Sequence, residues 1–406
     1  MIEQLWTRLT NTFHLHGAFE SILLLMVVIY AAGHVFRKLN LPVIFGELLG
    51  GIIVGPMMLN LVDPNSEIIL ILAELGVFFL MFHVGLENDP KEMFTASKKS
   101  ILIAIGGMVV PILWGLILGT IFDFPLEKTL FLWVIVSTAA IAISSRLIKD
   151  CNLGWSKIAH TTISAAVMND IFSLILFSVI LTIAETGSFD AKIILITLVK
   201  IIAFFGVIIF GGFKLSKHFH KAFETKGFTF ALIVALVLGL AAEAIGLHMI
   251  IGAFLAGLFI REEVLNEKAF NKIEDRVYGL SYSFLGPIFF TSLAFKLQIS
   301  GIGNNIWLMI GIIFVAIFGK ILGATGAAII QKIKIKDAAL IGMWLNSRGA
   351  VVLIIAAIGL EQGLIDKPLF SIIVIMAFAS TLVSIVGMKL LTRKNKKNQT
   401  AVIDRL

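Results

Sequence analysis

Asn169 and Asp170 stand near the middle of an apolar run from about Ile158 to Ala184. That run is long enough to cross a bilayer, for which ~20 residues suffice. A carboxylate at such depth costs roughly 2.5–3.5 kcal/mol on insertion scales, and nothing about spanning a membrane requires one. Ala166 and Ser173 lie within a turn of Asp170, so its helix face is small and open to close packing. One reading is an ion or proton site. The other is a carboxylate buried against a basic partner for assembly alone. The first is favoured, because ionisable residues inside spans mark ion and proton paths. Glu47 and Glu74 are the other acids well inside apolar runs. Glu74 is in a position to line an approach to Asp170, with direct binding the weaker expectation.

The elements that must position these residues are membrane spans. The 406-residue chain is 58% hydrophobic and only 15% charged, with a mean hydropathy of +1.00. This is the composition of an all-α polytopic membrane protein rather than of a soluble domain. We read about thirteen spans of bilayer length, near 17–36, 42–62, 67–86, 101–122, 129–147, 158–184, 193–213, 228–246, 248–260, 278–295, 306–330, 338–360 and 369–391. Neither a cleavable leader nor a soluble regulatory domain after the last span is expected. One cysteine, Cys151, allows no internal disulfide, and the eight histidines show no close ligand spacing. His34 and His83 are expected to be packed and hydrogen-bonded.

The net charge of +7 does not point to nucleic acid, because the basic residues alternate between the two sides of the membrane. Alternate connections and the tail, from Arg37 and Lys38 to Arg393–Lys397 and Arg405, hold twenty-four of them, against five on the other side (Arg8, Lys128, Lys192, Lys296 and Lys367). Basic loops face the cytoplasm. The expectation is therefore an inner-membrane, multi-pass protein with its N-terminus outside and its C-terminus, including a short basic tail over 392–406, in the cytoplasm. Lys320 and Arg348 are left deep inside spans.

The chain also repeats itself. Leu41–Pro56 (LPVIFGELLGGIIVGP) resembles Leu247–Ile260 (LHMIIGAFLAGLFI), and Glu74–Asp89 resembles Ser283–Ile299. The offset is seven spans, an odd number, so the copies are inserted upside down relative to each other. Inverted repeats characterise alternating-access transporters, with a midplane site where the copies meet. Carried forward, the offset pairs the span holding STAAIAISS (Ser137–Ser145) with the one holding NSRGAVVLIIA (Asn346–Ala356). Both place small or hydroxylated residues, Ser137 and Ser347 among them, where a broken helix needs partners for its freed backbone. The first lacks a central Gly or Pro, so its break is the less expected.

Together GELLGGIIVGP, FFLMFHVGLE, STAAIAISSRL, the Asn169–Asp170 pair and RGAVVLIIA resemble the bacterial monovalent cation/proton antiporters, in the branch that also holds potassium efflux exchangers. The resemblance runs from Ala18 to about Leu391. It implies a thirteen-span inverted repeat forming one transporter domain over 1–391. A core of about 98–186 and 301–391 would contain two crossing broken helices. A scaffold of about 17–90 and 190–300 would form the dimerisation domain of a homodimer. By the same resemblance the ion-binding acid falls on Asp170, its neighbour on Asn169, the hydroxyl of the first crossing helix on Thr138, the core lysine on Lys320, and the basic residue of the second crossing helix on Arg348.

The chemistry agrees with an antiporter. A hard monovalent cation seeks oxygens, which Asp170, Asn169 and Thr138 supply, whereas a transition metal seeks His or Cys. One carboxylate cannot hold a proton and a cation well together, and mutual exclusion gives exchange. Lys320 would pair with Asp170, and Arg348 would pair with Glu74 or cap carbonyls of the crossing helices. No cofactor is expected beside the transported Na⁺, K⁺ or Li⁺ and H⁺, and the lipid bilayer is the other partner. The alternatives are a K⁺-selective exchanger, a non-transporting sensor on this scaffold, and an organic-anion symporter of related fold.

Overall fold

A computed structural model describes residues 18–39, 41–88, 97–139, 157–186, 190–263, 267–300 and 302–403. The apolar runs fold into helices: α1 (Ala18–Lys38), α2 (Val43–Val54), α3 (Glu67–Glu87), α4 (Lys98–Ile121), α5 (Leu126–Ser137), α6 (Lys157–Thr186), α7 (Ala191–Ala244) and α8 (Met249–Glu263). They continue with α9 (Glu267–Leu280), α10 (Gly286–Phe295), α11 (Ile306–Phe314), α12 (Lys320–Ile330), α13 (Ile335–Leu345), α14 (Ala350–Glu361) and α15 (Lys367–Ile403). Wider π-helical turns, Ser281–Leu285 and Val315–Gly319, join α9 to α10 and α11 to α12.

Among the described residues, nine helical stretches are long and apolar enough to cross a membrane, and α13 with α14, bent by 43°, makes a tenth. The shorter apolar helices α2 and α8 and the described half of the span that begins with α5 fall on the remaining expected positions. The helical pattern runs without a break through the 54 residues of α7. Straight, that helix would be about 80 Å long. Yet Lys200 Nζ donates to the Ile245 carbonyl at 3.0 Å. The chain therefore doubles back within α7 and supplies two spans, Ala191–Ile208 and Gly227–Ala244.

The packing carries the repeat read from the sequence. α2 lies against α10, and α3 lies against α8. These contacts interchange when α2 and α3 are superposed in order on α8 and α10. Glycine makes both crossings close. A Cβ on Gly51 would stand 2.6 Å from the Thr291 carbonyl oxygen, and one on Gly85 2.0 Å from that of Phe254. A side chain at either site would force backbone apart, which cores resist. In the other half of each repeat α4 packs on α12, α5 and α6, and α15 packs on α13, α14 and α11. At one end of the molecule two ion pairs join helix ends: Lys128 Nζ to Asp366 Oδ2 at 2.8 Å, and Lys296 Nζ to Glu361 Oε1 at 2.7 Å.

Among the described residues α5 ends where the first break is expected, the second break separates α13 from α14, and the two are built differently. α5 stops at Ser137, and Thr138 is extended, with φ −64° and ψ 157°. No glycine causes this. Ser137 Oγ donates back to the Val134 carbonyl and Thr138 Oγ1 to that of Ile135, both at 3.0 Å. Residues 140–156, which include most of the STAAIAISS stretch, lie outside the described residues. The second break is Asn346–Gly349, between the end of α13 and the start of α14.

Candidate functional site

Asp170 and Asn169, on the buried face of α6, are each 1% exposed. Asp170 Oδ1 is buried without a hydrogen-bond partner. Asn169 is fully engaged: its Nδ2 donates to the Ser137 carbonyl at 3.0 Å and to Ser173 Oγ at 3.1 Å, and its Oδ1 accepts from Lys320 Nζ. Lys320 Nζ also donates to the Ser137 carbonyl. The end of the first broken helix, the amide beside Asp170 and the lysine ammonium thus converge on one point.

Lys320 reaches that point from the first residue of α12, directly after the π-turn Val315–Gly319. Such turns insert a residue into the helical repeat and recur at functional sites. Lys320 is fully buried. The expected direct pairing of Lys320 with Asp170 is corrected here: no ion pair within 4.0 Å joins them. The ammonium instead rests on two neutral oxygens, while Asp170 remains close enough for the two charges to interact. The amide of Asn169 accounts for this, since it offers a lysine an acceptor oxygen without a second negative charge.

Arg348 does not pair with Glu74, which lies exposed on the outer face of α3, away from the buried site. The other expectation for Arg348 describes what is seen. Nη1 donates to the carbonyls of Ile135 at 2.7 Å and Thr138 at 3.1 Å, and to Thr138 Oγ1 at 3.1 Å. Nη2 donates to the carbonyls of Val136 at 2.6 Å and Ala316 at 3.2 Å. The last carbonyls of a helix lack intrahelical partners and carry the negative end of its dipole. Here one guanidinium from the second broken helix satisfies those of α5 and one in the π-turn. It also takes up the Thr138 hydroxyl, whose own proton goes to Ile135. Thr138 is therefore a structural link between the broken helices in this state.

The second break has a matching set of partners in α15 that the sequence reading missed. Thr381 Oγ1 accepts from the Arg348 amide at 3.0 Å and donates to the Arg348 carbonyl at 2.9 Å. Asn346 Nδ2 donates to the Ser380 carbonyl at 3.0 Å and to Ser384 Oγ at 3.1 Å. Ser347 Oγ donates to the Trp344 carbonyl at 2.9 Å, so it faces its own helix. The signal available was the hydroxyl spacing of Ser380, Thr381 and Ser384 in an otherwise apolar span.

Glu47 is buried in α2. His83 is also buried, but neither ring nitrogen has a hydrogen-bond partner, contrary to the bonded histidine expected. His34 is exposed on α1 and stacks on Tyr30.

The sodium/hydrogen exchanger transmembrane family profile matches residues 22–394. A relative named as the Na(+)/H(+)-K(+) antiporter GerN of Bacillus cereus is 30% identical over 370 residues, which cover 90% of this chain and 94% of that protein. A Na(+)/H(+) antiporter of Enterococcus hirae is 28% identical over 383 residues, covering 93% of this chain and 98% of its own. The solved sodium proton antiporter MjNhaP1 from Methanocaldococcus jannaschii superposes with a TM-score of 0.73 over 92% of this chain and 97% of that one, at 19% identity. With this fold and a family match over nearly its whole length, the chain belongs to the sodium/hydrogen exchanger transmembrane family.

Proposed function

We propose that this protein exchanges a monovalent cation for protons by alternating access at Asp170. The observation that carries the proposal is the Lys320 ammonium resting on the Ser137 carbonyl and Asn169 Oδ1, beside a carboxylate with an unbonded oxygen. An ammonium held by neutral oxygens marks a place that suits another monovalent cation. Sodium or potassium would take Asp170 together with those oxygens, and Lys320 would withdraw from them. A proton on Asp170 would remove the carboxylate charge and return the oxygens to Lys320. Cation and proton thus exclude each other at one centre, and the centre crosses loaded with one or the other. The relative named for both sodium and potassium supports keeping both as substrates.

The mobile unit in this reading is the core of about 98–186 and 301–391, and the scaffold is about 17–90 and 190–300. The helix packing and the network that ties Arg348, Thr138 and Ala316 together support treating the core as one body. The scaffold would form a homodimer in the inner membrane, with the basic loops and the C-terminus in the cytoplasm. Proteoliposomes receiving Na⁺, K⁺ and Li⁺ one at a time, with internal pH recorded, test the exchange. No cation-dependent proton movement with any of them would end the proposal.

With Lys320 charged throughout the cycle, the single carboxylate moves one cation against one proton. An imposed potassium–valinomycin potential should then drive no net movement, once potassium is shown not to be a substrate. At 100 mV such a potential adds ~2.3 kcal/mol per elementary charge, enough to expose an electrogenic cycle. If it does drive transport, Lys320 carries a second proton, and Lys320→Gln should abolish the response. The same variant should lower the half-saturating cation concentration, because the competing ammonium is gone. A rise would show that Lys320 helps bind the cation.

A further inference from the structure

A hydroxyl in the middle of a helix commonly bonds to its own backbone. On α6, Ser178 Oγ donates to the Leu174 carbonyl at 2.8 Å, and Thr182 Oγ1 donates to that of Ser178 at 3.0 Å. Ser173 of the same helix behaves differently: its Oγ accepts an amide proton of Asn169 at 3.1 Å. Ser173 is fully buried and stands one turn after Asn169, on the same helix face. Close packing on that face asks only for a small residue, which Ala166 supplies two turns back. The hydroxyl needs another reason.

Asn169 supplies one. An amide nitrogen carries two protons, and acceptors take both: the Ser137 carbonyl at 3.0 Å and Ser173 Oγ. A nitrogen fixed on two acceptors leaves the amide oxygen one direction, and the Lys320 ammonium lies there. The reverse orientation would turn N–H groups toward an ammonium and strand both acceptors.

The second break repeats this clamp. Asn346 Nδ2 also donates to a backbone carbonyl and a serine hydroxyl, those of Ser380 at 3.0 Å and Ser384 at 3.1 Å. The roles are exchanged, because here the break supplies the amide and the intact helix α15 the carbonyl. The oxygens differ as well. Asn346 Oδ1 is buried without a partner, whereas Asn169 Oδ1 holds the ammonium. One clamp aims an oxygen at a charge, and the other holds a helix break.

We propose that Ser173 is a positioning residue of the exchange centre, holding the Asn169 amide so that Oδ1 faces the place shared by the Lys320 ammonium and the transported cation. The proposal rests on exchange at Asp170. When the cation displaces Lys320, that bond no longer steers the oxygen, and Ser173 and the Ser137 carbonyl are left to do so. An amide held by the carbonyl alone keeps a rotational freedom that cation binding must remove, and preorganisation removes it in advance. The ammonium depends less on the clamp, because it is tethered to α12 and also holds the Ser137 carbonyl.

The test is the Na⁺ dependence, and the K⁺ dependence, of proton movement in proteoliposomes. The parent must exchange and Asp170→Asn must be silent; a parent silent with both cations, or an active Asp170→Asn, would overturn the exchange reading and this proposal with it. Given an active parent, Ser173→Ala should raise the half-saturating cation concentration about two- to tenfold, as for the loss of one hydrogen bond. Its maximal rate should stay close to the parent's. Ser173→Thr, which keeps the hydroxyl, should restore the parental half-saturation. Ser173→Cys, whose sulfur is a weak acceptor, should fall between the parent and the alanine variant, and it serves if either of the others does not fold. Ser178→Ala and Ser384→Ala each remove a buried hydroxyl, one from α6 and one from the second clamp. Both should keep the parental half-saturation, even where they lower thermal stability. Parental half-saturation in Ser173→Ala would overturn the proposal. So would an equal rise in the two control variants, or threonine and cysteine variants as impaired as the alanine.

Discussion

Asp170→Asn is expected to abolish cation-dependent proton movement while leaving the protein folded and inserted. The substitution is nearly isosteric, and it removes a buried carboxylate whose Oδ1 has no hydrogen bond to lose. Its neighbours hold together without it: Asn169 and Lys320 both bind the Ser137 carbonyl, and neither bond involves Asp170. Folding should therefore be preserved or improved, because burying a charge is costly and burying an amide is less so. Transport should be lost entirely, since the amide neither titrates nor carries the charge that draws a cation. Circular dichroism and size-exclusion profiles matching the parent, with flat proton traces in proteoliposomes, are the expected result. Residual exchange would move the site elsewhere.

Arg348→Met should do the opposite, damaging the structure first. The guanidinium donates to the carbonyls of Ile135, Val136, Thr138 and Ala316, and shares that of Ile135 with the Thr138 hydroxyl. Without it the end of α5 faces a water-poor interior with unsatisfied oxygens. Removing one partner of a buried charged network costs about 3–5 kcal/mol. The variant should unfold at a markedly lower temperature in detergent. Arg348→Lys should recover only part of the loss, because a point charge cannot span the acceptors that a planar fork reaches. Parental thermal stability of Arg348→Met would show that the end of α5 is held by other means.

The sequence showed the depth and isolation of Asp170, the alternation of basic loops and the order of the spans, because each rests on composition over a window. The odd-numbered repeat offset was legible as well, and it accounts for α2 on α10 and α3 on α8. What pairwise geometry decides was not legible. Lys320 and Asp170 are opposite charges at similar depth, and charge alone pairs them; the amide at Asn169 redirects the lysine. Glu74 sits in the same helix as His83 and Glu87, yet only side-chain phase shows that it faces outward. The break after Ser137 carries no glycine because its causes are hydroxyls turned back on the helix and an arginine some two hundred residues away. His83 looked like an ordinary packed histidine until both of its nitrogens proved unbonded.

Mutual exclusion of cation and proton at Asp170 is open to one direct measurement. Purified protein in weakly buffered detergent solution, at a series of pH values, receives Na⁺ or K⁺ while released protons are recorded with a dye, alongside Asp170→Asn. The account predicts that a transported cation releases protons over the pH range in which Asp170 is protonated, that the release saturates with cation binding, and that Asp170→Asn releases none. Saturable cation binding to the parent without proton release at any pH, or undiminished release from Asp170→Asn, would contradict it.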